Sequence, residues 1–327
     1  MKKLALAVTP THLASALGAI SVCLVVAGSV FGQDYPTRPI RIVTTAAGGG
    51  GDFATRIVGE GIAGPLGQPV IVDNRTGVVP GEIVAKAAPD GYTLAVVGGA
   101  FWIAPLLRKT PYDTEKDFSY ISILVAEVSV LVVNASLPVK SVKDLIVLAK
   151  AKPGALNYAS SSGAGGTGHL AGELFKSMAG VNMVWVPYKA ATEAYTALLN
   201  GEAQVMITDV GGVAPLVKAG KLRALGVTSL QPSALAPGLP TVTASGLPGY
   251  EVVNRTSIVG PAKTPAAIIG RLNREIVRVI NQQDIKTRFL NSQTETVGST
   301  PDEMATIIKA YIETWGKVIK DAGIKAE

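Results

Sequence analysis

Two glycine-rich turns, each placed between a strand and a helix, constrain this chain more than any other feature. The first turn, Gly48 to Asp52, follows the β-branched segment 39–45 and opens a helical pattern that Gly67 ends. The second turn, Ser160 to His169, follows the strand pattern 156–160 and opens a helix over 168–179. Strand and helix alternate through most of the chain, which predicts an α/β fold with a mostly parallel sheet.

The strand and helix patterns fall into two groups joined by two apolar segments. We interpret these segments, 121–134 and 250–260, as crossover strands, so the C-terminal part of the chain returns to the first group. The predicted lobes are residues 33–130 plus 255–327 and residues 131–254, with a hinge that allows closure on a ligand. Thr300 and Glu303 form a capping box for the last helix, and its apolar stripe is expected to pack in the core.

The first 32 residues have the layout of a secretory signal peptide. Lys2 and Lys3 precede an uncharged, mostly apolar run at 13–27, and small residues follow it. We expect cleavage near Gly32 and export to the periplasm. A transmembrane anchor is the alternative, but the run is shorter than the roughly 20 residues that cross a bilayer. A lipoprotein anchor at Cys23 is disfavoured because Val22 precedes it.

The scarcity of metal-binding and nucleophilic side chains excludes several classes of protein. The whole chain has one Cys and two His, which rules out a cysteine cluster, a disulfide framework and a His-rich metal site. Removing 32 residues from 327 leaves 295, with no Cys and with His169 alone. The formal charge falls from +6 to +4 with the two lysines, and no basic run indicates nucleic-acid binding. We therefore expect no cofactor and no metal.

The first turn contains Gly48, Gly49, Gly50, Gly51 and Asp52. Glycines allow a tight turn that exposes backbone N–H groups, and these groups suit an anion together with the helix dipole. A nucleotide phosphate is poorly supported because neither GxxxxGK[ST] nor a complete GxGxxG pattern is present. A plain structural turn remains the alternative.

The second turn is rich in hydroxyl groups and glycine. Its amides and side chains, at Ser160, Ser161, Ser162, Gly165, Gly166 and Thr167, are suited to a carboxylate. A serine hydrolase is the alternative, but nucleophilic catalysis needs a paired base and no base is evident. We expect His169 to be a structural residue at the start of the helix, with Glu173 as a possible partner one turn later. Because ligands of α/β sheets bind at the carboxyl ends of strands, two such turns on facing lobes predict a clamshell for a small anion.

The chain resembles the periplasmic receptors of tripartite tricarboxylate transporters, which are also called Bug receptors. The resemblance covers essentially the whole chain after the leader. The matching segments include YPTRPIRIV, AAGGGGD, LGQPVIVDNRTG, APDGYTLAVVGG, TPYDTEKDF, SLPVKSVKDLIVLAKAKPGALNYASS, GHLAGELFKSMAG, WVPYKAATEA, KAGKLRALGVTS, LPTVTASGLPGYEV and GPAKTP.

The resemblance implies a two-lobed Venus-flytrap fold and capture of a small organic carboxylate between the two turns. It implies delivery to a large and a small membrane subunit that use an ion gradient, and we expect a monomer that is not an enzyme. It also places further residues around the cleft. These are the loop after 90–99 with Ala100, Phe101 and Trp102, the turn with Tyr188 and Lys189, and Asp209.

Several positions depart from the family pattern. Thr44 and Thr45 stand where the family has proline and an aromatic residue, and Gly51 stands where it has threonine. The second turn is one residue longer between 158 and 169. Arg255 replaces a common tryptophan, and either it binds the ligand carboxylate in bidentate fashion or it is a surface arginine on the crossover strand.

Two other function classes remain open from the sequence. A periplasmic sensor would present its ligand-bound form to a signalling partner, and a periplasmic amide hydrolase would use Ser161 or Ser162.

Overall fold

The computed structural model describes residues 35–161 and 163–324, and the expected leader lies outside this part. The described residues form ten strands and ten helices. The strands are β1 (Ile40–Thr44), β2 (Val70–Asn74), β3 (Thr93–Val97), β4 (Phe118–Asn134), β5 (Asn157–Ser160), β6 (Val184–Pro187), β7 (Val205–Asp209), β8 (Leu222–Val227), β9 (Val253–Pro261) and β10 (Glu295–Thr296). The helices are α1 (Gly50–Leu66), α2 (Val79–Ala85), α3 (Gly99–Leu107), α4 (Val142–Ala151), α5 (Thr167–Ala179), α6 (Ala191–Asn200), α7 (Val210–Lys218), α8 (Ala266–Ile280), α9 (Gln283–Asn291) and α10 (Pro301–Asp321).

Both ends of the sheet are parallel, as the alternation of strands and helices predicts. At one end β1 pairs with β2 and β3, and Ile42 lies opposite Val72 and Leu94. At the other end β5 pairs with β6 and β7. The helices between these strands cover the sheet with apolar faces. Helix α1 ends where Gly67 adopts a φ of 68°, a left-handed conformation that glycine takes without strain.

The centre of the sheet is antiparallel, which the prediction of a mostly parallel sheet missed. The 17-residue strand β4 pairs with β9 along its first part and with β7 and β8 along its second part. One strand is therefore shared by both halves of the sheet. The strand order is β2-β1-β3-β9-β4-β7-β5-β6, and β8 and β10 pair with β4 off this path. The crossover strands β4 and β9 run in opposite directions, and each also runs opposite to its other neighbour on the path, so the pairings β3–β9, β9–β4 and β4–β7 are antiparallel.

The C-terminal elements return to the first half of the molecule. Helix α8 packs against α1 and β4, and Leu272, Ile276 and Val279 of α8 are fully buried. Helix α10 begins with the predicted capping box, in which the Thr300 hydroxyl accepts the Glu303 N–H. The apolar side of α10 packs against β4 and α3, and also against α5 in the second half.

One local expectation is wrong. The segment after β3 is the helix α3 and not a loop, because its apolar side chains Trp102 and Ile103 are buried in the core. Within the described residues, no helix has both the length and the apolar character needed to span a membrane.

Candidate functional site

The first glycine turn is held together by its own aspartate. Asp52 accepts the Gly48 N–H and the Asn74 side-chain amide, each at 2.9 Å, and pairs with Arg56 at 3.0 Å. The hydrogen bond from Arg56 is the largest cause that lowers the pKa of Asp52 to about 2. The Asp52 side chain is 7% exposed. Its carboxylate therefore fixes the turn, and contact of Asp52 with a ligand stays a prediction.

The same turn explains why position 51 is glycine in this chain. A Cβ added at Gly51 would lie 2.7 Å from the Thr45 hydroxyl oxygen and 3.4 Å from that of Thr44. The Thr45 side chain thus crowds the space that a side chain at 51 would occupy. Residues 44, 45 and 51 therefore belong to one local arrangement.

The second turn is organised by two aromatic side chains. Buried Ser160 accepts the indole N–H of Trp185 at 2.8 Å, so its hydroxyl supports the turn. Contact of Ser160 with a ligand stays a prediction. The ring of His169 stacks on Trp185 with 3.8 Å between centroids. Its Nδ1 accepts the N–H of Gly165 at 3.0 Å. Burial lowers the pKa of His169, which favours the neutral ring that this hydrogen bond requires.

The structural role expected for His169 is confirmed, but its partner is not Glu173. The Glu173 carboxylate instead accepts the Tyr158 hydroxyl at 2.6 Å and pairs with Lys176 at 2.7 Å. Gly165 has a φ of 76° and packs near Leu107 of α3, so the turn adjoins the first half of the molecule. Ser162 lies outside the described residues.

A cavity of about 210 Å³ lies beside the second turn. The second turn contributes Ser161, Thr167 and Gly168, and the end of β7 contributes residues 206–209. The crossover strands complete the lining with Glu127, Val128, Ser129 and Asn254. The structure thus brings the predicted residues Ser161, Thr167 and Asp209 together. Asp209 is also the N-cap of α7, where it accepts the Gly212 N–H at 3.3 Å.

Helix α5 directs its N-terminus at this cavity. Among the described residues, no acceptor bonds the N–H groups of Thr167, Gly168 or His169, which begin the helix. The first turns of α1 leave the N–H groups of Gly50, Gly51 and Asp52 similarly free within the described part. Such groups carry the positive end of the helix dipole and suit an anionic ligand.

Glycines 48 to 51 of the first turn do not line the cavity in the described structure; Glu127 adjoins them instead. A Cβ added at Gly50 would lie 3.3 Å from Glu127 Oε1. Glu127 Oε2 accepts the Asn254 side-chain amide at 2.8 Å, and Asn254 Oδ1 accepts the Gly99 N–H at 2.9 Å. A chain of hydrogen bonds therefore links the start of α3 to the Glu127 carboxylate. The glycine and serine motifs do not point to Glu127 and Asn254, but a lone acid in the otherwise uncharged strand β4 is a signal that the sequence does contain.

Two predicted cleft residues contribute their side chains elsewhere. Phe101 stacks on Tyr112 with 4.7 Å between ring centroids and belongs to an aromatic core cluster. Tyr188 lies in a shallow pocket with Glu193 and Glu202. Its backbone N–H donates a hydrogen bond to the backbone carbonyl of Ser160. Neither side chain lines the cavity beside the second turn in the described structure, and their contact with a ligand stays a prediction.

Arg255 lies on the opposite face of β9 from Asn254, because successive side chains of a strand point to opposite faces. It pairs with Glu251 at 2.5 Å and lines a separate cavity of about 640 Å³ beside Tyr311 and Trp315 of α10. Arg255 therefore does not line the cavity beside the second turn, and its binding of a ligand carboxylate stays a prediction. Its side chain is 14% exposed, so it is largely buried on the crossover strand.

Comparison with known proteins places this geometry in a family. A family model described as "Tripartite tricarboxylate transporter family receptor" matches residues 54–324. Protein BugT of Bordetella pertussis is 31% identical over 322 residues, covering 96% of this chain and 98% of BugT. The solved structure of R. palustris Rpa4515 with adipate has 33% sequence identity to this chain and a TM-score of 0.66. The match covers 89% of this chain and 99% of the Rpa4515 chain.

MatC from Rhodopseudomonas palustris, solved with bound malate, has 26% sequence identity to this chain and a TM-score of 0.63. The match covers 87% of this chain and 100% of the MatC chain. The likeness to these structures extends over both halves of the molecule, so the predicted two-lobed Venus-flytrap fold is confirmed. The chain belongs to the family of Bug-type receptors of tripartite tricarboxylate transporters.

Proposed function

We propose that this chain is a periplasmic receptor that binds a small organic carboxylate in the cavity between its lobes. The observation that carries the proposal is the N-terminus of α5, which faces a cavity at the carboxyl ends of β5 and β7. Its first three N–H groups have no acceptor among the residues that the structure describes. Relatives solved with adipate and malate support a carboxylate ligand. Binding requires hydrogen-bond donors for an anion and no nucleophile or base.

We further propose that the lobes comprise residues 33–130 plus 255–327 and residues 131–254. The pairing of β9 with β3 supports this division, because it joins the C-terminal part to the first lobe. In this arrangement, the cavity is lined by residues of both lobes near the crossover strands. Closure of the lobes would exclude water and strengthen the hydrogen bonds to a bound anion.

A thermal-shift screen tests the carboxylate proposal. The full chain is expressed in a Gram-negative host, purified from the periplasmic fraction and heated with a panel of small mono-, di- and tricarboxylates. A ligand at 100 times its Kd adds about 2.7 kcal/mol to the free energy of unfolding of the protein. The Tm of the protein therefore rises with the concentration of a true ligand. If neutral sugars or amines raise the Tm and no carboxylate does, the proposal is wrong.

A matched pair of variants locates the binding. Thr167→Val removes a hydroxyl from the cavity with little change in volume, and Thr192→Val makes the same change on the exposed start of α6. We expect the first variant to weaken carboxylate binding about tenfold and the second to leave it unchanged. Equal affinities in both variants would place the ligand away from the second turn.

We also propose that the bound carboxylate is delivered to a large and a small membrane subunit that use an ion gradient. Membership of the receptor family supports this partner. Deleting the gene from its host should abolish uptake of the radiolabelled carboxylate that the screen identifies. Uptake in the parent strain should stop when a protonophore or sodium ionophore collapses the gradients. Uptake that persists under both ionophores would contradict the proposed partner.

A further inference from the structure

The ionisable side chains that line the cavity in the described structure are both acidic. Glu127 stands on β4, and Asp209 stands at the end of β7. No lysine, arginine or histidine of the described residues lines this cavity, since Arg255 faces the other side of the sheet. A ligand that carries only negative charge would therefore enter a space lined by two carboxylates.

The Glu127 carboxylate is held in position from one side. Its Oε2 accepts the Asn254 amide, which is itself fixed by the Gly99 N–H at 2.9 Å. A carboxylate has about four acceptor positions, and one is used by a partner among the described residues. Ser129 and Asn254 beside it in the lining are uncharged. The carboxylate thus presents unused acceptor positions where a ligand can donate hydrogen bonds.

Glu127 also changes which helix terminus is available to a ligand anion. Its Oε1 adjoins Gly50 at the N-terminus of α1, so the positive end of that dipole already has a negative neighbour. The N-terminus of α5 borders the same cavity through Thr167 and Gly168. The other acid of the lining, Asp209, caps α7 by accepting the Gly212 N–H. A ligand carboxylate is therefore directed to Thr167 and Gly168 and repelled from Glu127.

We propose that Glu127 is a specificity-determining residue that makes this receptor select small amino carboxylates. The ligand carboxylate binds at the N-terminus of α5, and the protonated amine of the same ligand donates to Glu127. The cavity volume of about 210 Å³ lies below the usual range for drug-sized ligands and fits a compact zwitterion. This inference rests on the proposed function and adds the class of ligand.

Calorimetry with matched ligand pairs tests the inference on the full chain purified from the periplasm. The pairs share a carbon skeleton and differ by one amine at C2: propionate and alanine, succinate and aspartate, glutarate and glutamate, adipate and 2-aminoadipate. We expect at least one amino acid to bind about tenfold or more tightly than its partner, as a charged hydrogen bond implies.

Glu127→Gln removes the charge while its amide oxygen keeps an acceptor for Asn254. We expect this variant to lose the tenfold preference, whereas Glu60→Gln makes the same change on the exposed side of α1 and should keep it. The preference is a ratio within one variant, so it does not depend on the fraction of protein that is folded. An unchanged preference in Glu127→Gln would overturn the inference.

The two proposals fail in different ways in this experiment. If the wild-type protein binds both members of each pair equally, or prefers the member without the amine, the inference about Glu127 is wrong and the carboxylate receptor stands. If no member of any pair binds and the wider carboxylate screen is also negative, both the inference and the proposed function are wrong.

Discussion

His169 fixes the shape of the second turn through a hydrogen bond that only its neutral form can accept. The Nδ1 atom accepts the Gly165 N–H, and protonation would place a second hydrogen between the two nitrogens. Stacking on Trp185 holds the ring at the angle this bond needs, and Ser160 holds Trp185 in turn. Three residues near the site therefore act by positioning backbone N–H groups.

The titration of His169 gives a prediction at this scale. Burial lowers its pKa in the folded protein below the ordinary value near 6.5, so the unfolded chain takes up the proton first as the pH falls. The contribution of His169 to the free energy of unfolding should be constant well above the ordinary histidine pKa near 6.5, and it should decrease as the pH falls below that value. Urea unfolding from pH 8 to pH 5 measures this decrease.

His169→Asn provides the control for this titration, because its side-chain oxygen accepts the Gly165 N–H and does not titrate. We expect the variant to be less stable than wild type at pH 8 and the difference to shrink towards pH 5. A difference that is constant over this range would show that His169 does not contribute to the pH dependence.

At the scale of elements, the packing of α5 on β5 positions the cavity. Gly172 of α5 lies over Tyr158, and a Cβ added at 172 would be 2.1 Å from the tyrosine ring carbon Cε2. The close approach lets the Tyr158 hydroxyl reach Glu173 at 2.6 Å. The second turn connects these two elements, so their separation sets where the N-terminus of α5 points.

Gly172→Ala should therefore destabilise the protein by about 1–3 kcal/mol, the usual cost of overpacking. Chemical unfolding measures the change, and Gly270→Ala on α8 is the matched control. Its added Cβ would meet Arg274 at an ordinary contact of 3.6 Å. We expect this control to be neutral or stabilising by about 0.5–1 kcal/mol, because alanine favours a helix over glycine. Equal effects of both substitutions would contradict the tight packing of α5 on β5.

At the scale of the whole molecule, α10 connects the two halves in addition to the shared strand β4. Trp315 of α10 is 3% exposed and belongs to the same core cluster as Leu174 and Phe175 of α5. Met304 and Ile308, earlier on α10, belong to a cluster of the first half. One helix therefore packs into the cores of both halves and restricts their relative movement.

Trp315→Ala should cost about 3–5 kcal/mol of stability, as large truncations in a core do. We also expect the unfolding of the two halves to separate, so that transitions followed by far-UV circular dichroism and by tyrosine fluorescence no longer coincide. Val147→Ala, at a side chain that is 67% exposed, should change stability by less than about 0.5 kcal/mol. A single coincident transition in Trp315→Ala would show that Trp315 is not needed for the two halves to unfold together.

Local patterns predicted the elements of this chain well where neighbours in sequence decide the structure. The Thr300 capping box, the helix end at Gly67 and the strand that precedes each glycine turn are all present. Family resemblance correctly indicated the two-lobed fold. The same patterns could not decide which side chains line the cavity, and Phe101 and Arg255 lie outside its lining.

The sequence by itself determined the alternation of strands and helices, the two glycine turns and the family. These properties depend on backbone conformation and on contacts within a few residues. Only the tertiary structure decided that Asp52 and Ser160 are occupied in support of the turns and that Glu127 meets Asn254, 127 residues away. The register of β4 against β9 sets that contact, and a shift of one residue would turn Glu127 to the opposite face.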